Sequence, residues 1–171
     1  MTLISSQTLG GSTASVTFSS IPSTYNDLKL VVSARGDAAA FPVAINMKIN
    51  SDTTSKYSYT HLLGNSSATS STRPASSQTV DAIQNVDGAS ATASTFGSWE
   101  IYIPNYTSTG SKPYFNIDVV ETNDTTAAHA NISANSHLYT GASGITQIDL
   151  TPSSGNFVQY STFTLYGIKN S

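Results

Sequence analysis

The chain has 171 residues, a formal net charge of −3 and 10% charged residues, against roughly 25% in an ordinary soluble domain. It has no cysteine, which excludes a disulfide framework, and its seven scattered lysines and arginines give no basic patch for nucleic acid or an anionic membrane. Serine and threonine supply about 30% of the residues, and the 38% that are hydrophobic recur at regular spacing, which favours a folded β-rich chain over disorder.

The first residues carry two apolar side chains, Leu3 and Ile4, without a positively charged segment or a long apolar run, so we expect no signal peptide. Residues 1–12 are predicted to form an N-terminal arm of a single domain spanning residues 1–171. Nothing in the chain approaches the roughly 18 apolar residues of a membrane helix, so no membrane span is expected.

Alternation of apolar and polar residues marks most of the predicted strands. Val43, Ile45, Met47 and Ile49 alternate with smaller or polar residues, the pattern of a half-buried strand. The same period recurs over residues 28–33, 98–103 and 115–120, and further strands are predicted near 3–9, 14–18, 57–62, 79–86 and 128–139. About ten short strands separated by turn signals predict an all-β fold, an antiparallel two-sheet β-sandwich with jelly-roll topology.

Two connections are candidates for partner contacts. Residues 64–78 are rich in serine and threonine and contain Arg73, and they predict a long surface loop, either solvated or reaching to a neighbouring subunit. Residues 36–42 end in Phe41-Pro42, where the aromatic ring either plugs an end of the sandwich or anchors a partner.

The last 25 residues predict a β-hairpin that closes the sheet. Two apolar segments within Ile145–Lys169 flank residues 152–156, a Pro-Ser-Ser-Gly-Asn cluster that supplies fixed and positive φ angles for a turn. We expect the final strand to be built into the sheet, with residues 169–171 as a short tail.

The histidines and carboxylates form no recognisable catalytic or metal pattern. His129 and His137 are eight residues apart on one predicted strand, about 26 Å when extended, so they cannot hold one ion. They would share a polar, exposed face with Asn131, Ser133 and Asn135. No nucleophile-elbow motif is present, and the acidic group at residues 118–124 lacks the spacing of a calcium loop. We expect no enzyme activity, no cofactor and no metal.

Tyrosines are spread across most of the predicted strands, and their flat rings and hydroxyls suit sugar stacking or protein interfaces. Tyr114 and Tyr166 are expected to cover the core margin. Four other tyrosines, three apolar residues and one arginine are the interface candidates: Leu3, Ile4, Phe41, Arg73, Tyr102, Tyr106, Tyr139 and Tyr160.

Five segments together resemble a known class of protein. They are SSIPSTYNDLKL (Ser19–Leu30), INMKINSDTTSKYSYTHLLGN (Ile45–Asn65), WEIYIPNYTS (Trp99–Ser108), STFTLYGI (Ser161–Ile168) and the closing stretch Ile145–Lys169 that contains it. In these segments the chain resembles small β-sandwich virion structural proteins of tailed bacteriophages, especially cyanophages.

The resemblance implies a capsid cement or decoration protein that forms a homotrimer, binds the major capsid protein and lies on the outer surface of the virion. Such a protein is made in the bacterial host cytoplasm and contacts neither nucleic acid nor membrane. The alternative is a tail-fibre or tail-tip module that recognises a host glycan. A glycan-cleaving enzyme is disfavoured, because no carboxylate pair of the required kind is recognisable.

Overall fold

The computed structural model describes residues 1–65, 68–74, 76–120 and 131–170. Twelve strands are present: β1 Thr2–Thr8, β2 Val16–Phe18, β3 Asp27–Ala34, β4 Val43–Ile49, β5 Tyr57–Gly64, β6 Thr69–Thr72, β7 Asp81–Val86, β8 Gly97–Ile103, β9 Lys112–Val119, β10 Ile132–Tyr139, β11 Ile148–Pro152 and β12 Thr162–Ile168. Across these described ranges, no helix has the length and apolar character needed to cross a membrane.

The strands form two antiparallel sheets packed together, which confirms the predicted all-β sandwich. The larger sheet has the order β1-β12-β3-β8-β9-β10-β5-β6, and the smaller has the order β2-β11-β4-β7. Eight strands build the sandwich proper, with β1-β12-β3-β8 facing β2-β11-β4-β7. Along these eight strands the chain changes sheet at every step except β4 to β7, which is the pairing order of a jelly roll.

Two pairs of strands are additions to this eight-stranded plan. β5 and β6 lie between β4 and β7 in the chain, and β9 and β10 lie between β8 and β11. All four join the larger sheet beyond β8, in the order β9-β10-β5-β6, and we call them the extension. The larger sheet is therefore twice as wide as the smaller one.

The core lies between the two sheets, and the alternating residues point into it as predicted. Val43, Ile45, Met47 and Ile49 of β4 are all buried, as are Leu28, Leu30 and Val32 of β3 and Trp99, Ile101 and Ile103 of β8. Each fully buried side chain of this size contributes roughly 1.5–3 kcal/mol. These strands are held in register because a shift of one residue would expose the whole apolar set.

The closing hairpin prediction is wrong. β11 pairs with β2 and β4 in the smaller sheet, whereas β12 pairs with β1 and β3 in the larger one. The turn residues, with Gly155 at a φ of 68°, therefore carry the chain across the sandwich. Both strands have an apolar face, and local pattern does not distinguish a partner in the same sheet from one in the opposite sheet.

Two segments predicted as an arm and as a long surface loop also belong to the larger sheet, and the strand predicted near residues 3–9 is confirmed as β1. Residues 2–8 of the expected arm form β1, which pairs with β12 over six positions from Thr2 to Thr8. The 64–78 loop contains β6, which pairs with β5. Asn65 and Ala68, on either side of residues 66–67, are joined by two hydrogen bonds: the Asn65 N–H donates to the Ala68 carbonyl at 2.9 Å, and the Ala68 N–H donates to the Asn65 side-chain oxygen at 2.7 Å.

Candidate functional site

The extension has its apolar residues on the outside. On β9, Ile117 is 44% exposed while its neighbour Asp118 is fully buried. The same arrangement on β5 and β10 produces a set of exposed apolar side chains that we call the outer apolar face: Leu62, Phe115, Ile117, Val119 and Ile132. The expected exposed polar ladder on β10 is thus wrong, because Ser133, Asn135 and His137 face inward and are buried.

Strand pairing makes the outer apolar face continuous. Ile132 lies opposite Val119, and Ala134 lies between Ile117 on one side and Leu62 on the other. Val31 and Leu3 point to the same side of the sheet but are separated from this face by Glu100 and the residues of β12. Of the nine exposed large hydrophobic side chains in the described part of the chain, seven are on this side of the larger sheet.

The outer surface of the larger sheet carries little charge. Among its described strand residues, the exposed charges are those of Lys29 and Glu100, which form an ion pair at 2.7 Å. The two charges compensate each other, so the strand residues of this surface, apolar in the outer apolar face and largely hydroxyl-bearing elsewhere, are close to neutral. Such a surface neither repels a second copy of the chain nor selects a strongly charged partner.

The inner side of the extension is a buried polar layer. His137 Nδ1 lies 2.9 Å from Asp81 Oδ2, and the other ring nitrogen contacts the side-chain oxygen of Asn116. The Tyr114 hydroxyl donates to Asp81, and its ring stacks on that of His137 with centroids 5.0 Å apart. These four side chains, contributed by β7, β9 and β10, form one connected network.

The position of the extension explains why polar residues are buried there. The smaller sheet ends at β7, so most of the extension lies beyond it; its edge strand β7 packs against β9 and β5, and Tyr57 of β5 reaches Ile49 of β4. Asp81 of β7 supplies a carboxylate at that contact, and the facing strands supply hydrogen-bonding partners to it. Buried polar groups are tolerated because they are paired with one another.

Burial also shifts the titration of groups in this layer. It raises the pKa of Asp118 to about 7, and among the described residues one oxygen of this carboxylate finds no hydrogen-bond partner. Asn135 donates to the other oxygen at 3.3 Å. Burial, with the charge of His137 as a second cause, lowers the pKa of His61. Low-dielectric surroundings therefore favour the uncharged forms of both groups.

Within the described ranges no group of three or more His, Cys, Asp or Glu residues is arranged to hold a metal ion. The side chains of Asp81, Tyr114 and His137 in the buried polar layer are buried and bonded to one another. Three members of the acidic group considered for calcium, Glu121, Asn123 and Asp124, lie outside the described residues, as does His129.

Two of the predicted interface residues belong to the outer surface of the larger sheet. Tyr102 borders the outer apolar face, with its ring centroid 5.6 Å from that of Phe115. Its hydroxyl donates to Asp27 at 2.6 Å, which fixes the ring. Leu3 lies on the same surface on β1, three strands away from Tyr102, opposite Tyr166.

Two other predicted interface residues are corrected. Tyr106 and Tyr139 are buried and offer no surface to a partner in this fold. Tyr106 donates its hydroxyl to the carbonyl of Pro22, and Tyr139 donates to Asp52 at 2.9 Å while stacking on Tyr57. Their hydroxyls satisfy polar groups at the core margin, where sequence alone does not separate such rings from interface rings.

The remaining candidates are dispersed. Ile4 is half-buried against the core, and Phe41 is half-buried in the loop before β4. Tyr160 is 68% exposed in the connection from β11 to β12. Arg73 is exposed and lines a groove of about 580 Å³ on the outer surface of the extension, beside the outer apolar face. Tyr114 is buried in the polar layer, whereas Tyr166 is partly buried.

Sequence reasoning missed the residues of the outer apolar face. Their alternation was recognised, but the apolar side of each strand was assigned to the core. One signal favoured the reverse assignment: β9 and β10 both carry amide, charged or imidazole side chains on the other face, in matching register. Asn116 lies opposite Asn135, and Asp118 opposite Ser133.

Searches against protein-family models, curated proteins and solved structures found no significant match to this chain.

Proposed function

We propose that this chain is a non-enzymatic structural protein of a tailed-phage virion, a capsid cement or decoration protein that bridges neighbouring capsid subunits. The observation that carries the proposal is the outer apolar face, exposed on a sheet rather than on loops. Contiguous exposed apolar surface on a soluble protein marks a site of protein contact. The face is proposed to pack on the major capsid protein and on other copies of the chain in a trimer.

The size of the whole outer surface of the larger sheet, of which the outer apolar face is one part, supports this proposal. Eight strands spaced about 4.8 Å apart, each some seven residues long, present roughly 800 Å² on one side. A stable protein interface of ordinary size buries about 800 Å² on each partner. The outer surface of the larger sheet is therefore large enough to supply one partner's share of such an interface.

The segments that resemble phage virion proteins support the proposal from a second direction. All five supply residues of strands of the larger sheet: Ser19–Leu30 runs into β3, Ile45–Asn65 contains β5, Trp99–Ser108 contains most of β8, and Ser161–Ile168, within the closing stretch Ile145–Lys169, contains β12. Of these strands, β5 carries Leu62 of the outer apolar face, and β8 pairs with β9, which carries Phe115 and Ile117. The resembling segments therefore include one strand of the proposed docking surface and one strand that adjoins it.

The proposal is tested by adding the purified chain to particles of the encoding phage that lack it. Wild-type protein is expected to sediment with the particles and to restore their resistance to heat. Ile117→Asp, which adds a charge to the outer apolar face, is expected to lose binding. The matched control is Gln159→Asp, an exposed position outside the larger sheet, and it should bind like wild type. Equal binding by both variants would refute the proposed surface.

Copy number separates the proposed cement from a tail part. Quantitative mass spectrometry of virions should find the chain in numbers comparable to the major capsid protein. A count that matches the few copies of a tail component would instead support receptor binding. Particles that lack the chain should still adsorb to host cells, whereas failed adsorption with normal heat resistance would contradict the cement role.

A further inference from the structure

We propose that the groove beside Arg73 binds an anionic saccharide, a sugar that carries a carboxylate. The groove encloses about 580 Å³, within the roughly 300–1,000 Å³ typical of small-ligand sites. One wall is the outer surface of the extension, at the end away from Ile132. The other wall is formed by Arg73, Pro74, Ser76 and Ser77, which follow β6. This site does not depend on the virion assignment.

Arg73 supplies an uncompensated positive charge. It is exposed, and it forms no ion pair or hydrogen bond with any residue in the described part of the chain. No aspartate or glutamate is among the residues that line the groove. A guanidinium presents a planar fork of donors that matches a carboxylate in two parallel hydrogen bonds. The charge therefore selects an anionic ligand of that geometry.

The rest of the lining suits a sugar ring. Ser58, Thr60 and Ser136 project hydroxyls from the sheet. No hydrogen bond of these three hydroxyls is found within the described residues, so each is available as donor and acceptor. Leu138 and Pro113 add apolar surface to the same wall of the groove as these hydroxyls. Hydroxyl partners beside small apolar patches complement the alternating O–H and C–H surface of a saccharide.

An acidic peptide is a poorer fit, because the adjoining strand edge is already paired on both sides of the groove. β6 occupies the edge of β5 from His61 to Gly64, and Gln78 exchanges two backbone hydrogen bonds with Tyr57. Within the described residues, no run of free backbone groups remains on the β5 edge to pair with an extended chain. Recognition must therefore come from side-chain hydroxyls and the guanidinium, which favours a sugar.

The test is a nuclear magnetic resonance titration of the isolated protein with glucuronate, in parallel with glucose and with acetate. Glucuronate is expected to bind with a Kd on the order of 1 mM, the range for a small polar ligand in an open site. The amide shifts should be confined to residues of the groove, Ser58, Thr60 and Ser136 among them. Glucose and acetate each lack half of the proposed contacts. Each should bind at least about tenfold more weakly than glucuronate, or not at all.

Matched variants test the role of the guanidinium. Arg73→Gln should weaken glucuronate binding about tenfold or more, while Lys169→Gln, which removes the same charge from an exposed position elsewhere, should not. Ser136→Leu, which fills the groove from an outward-facing position, should also reduce binding. An unchanged amide spectrum outside the groove confirms folding of each variant. Absence of glucuronate binding, equal binding of acetate, or an equal effect of the two charge variants would overturn the proposal.

Discussion

Ile117 and Asp118 are consecutive residues of β9, and the isoleucine faces outward while the aspartate is fully buried. This reversal of the usual polarity holds across three strands of the extension. It creates both the buried polar layer and the outer apolar face, so the two features share one structural origin. Each of the two features leads to predictions that differ from those for a sheet with a polar outer side and an apolar inner side.

The buried carboxylate of Asp118 predicts that stability falls as the pH rises. Burial raises its pKa from the ordinary 3.8 to about 7, so the folded state binds this proton more tightly than the unfolded state does. The stabilisation of the folded state by protonated Asp118 is fully present below about pH 4 and is lost progressively up to about pH 7. It amounts to at most about 4 kcal/mol of the free energy of unfolding. Urea denaturation between pH 4 and 8 measures it.

Asp118→Asn is the control for this pH dependence, because it keeps an oxygen to accept the hydrogen bonds from Asn135 and from the backbone of Asn85. The variant should lose the fall in stability that wild type shows between pH 4 and 7. It should also be the more stable of the two at pH 8. The same pH slope in both proteins would contradict a buried, uncompensated carboxylate.

Two isoleucines of the larger sheet should respond very differently to truncation. Ile101 of β8 is fully buried in the core, and Ile101→Ala should lower the free energy of unfolding by about 2–5 kcal/mol. Ile117→Ala, on the neighbouring strand, should cost less than about 1 kcal/mol in the isolated chain. Chemical denaturation of the two variants measures the loss in the free energy of unfolding for each. Similar losses would mean that Ile117 is packed inside the fold.

Two tyrosines test the buried polar network in the same way. Tyr114→Phe removes the hydroxyl that donates to the buried Asp81, which should cost about 1–3 kcal/mol. Tyr102→Phe removes a hydrogen bond to Asp27 that is only partly buried and should cost less. Thermal or urea unfolding compares them at one pH. A larger loss for Tyr102→Phe would contradict the assigned network.

Much of the sandwich followed from period-two alternation, because its physical cause is a strand with one buried side. The strands around Leu30, Met47 and Ile101 lie where predicted, with the predicted residues buried. Partner strands could not be predicted in the same way. Ile148 and Phe163 each have a local apolar pattern, yet one belongs to each sheet, since pairing is decided by contacts distant in the chain.

The candidate site was less predictable than the fold. Alternation in β9 separates Phe115 and Ile117 from Asn116 and Asp118 but does not say which set faces the core. The answer depends on where the smaller sheet ends, a property of the whole chain. Tyr102 and Leu3 lie on the outer surface of the larger sheet, whereas the reasoning that selected them as interface candidates also selected the buried Tyr106 and Tyr139.

The most direct test of the central claim is photo-cross-linking from position 117 in assembled virions. A photoreactive amino acid replaces Ile117 in one preparation and Gln159 in another, and mass spectrometry identifies the linked proteins. The outer apolar face predicts efficient cross-links from position 117 to the major capsid protein or to another copy of the chain, with few from position 159. Cross-links from position 159 alone, with position 117 free in the particle, would contradict the account.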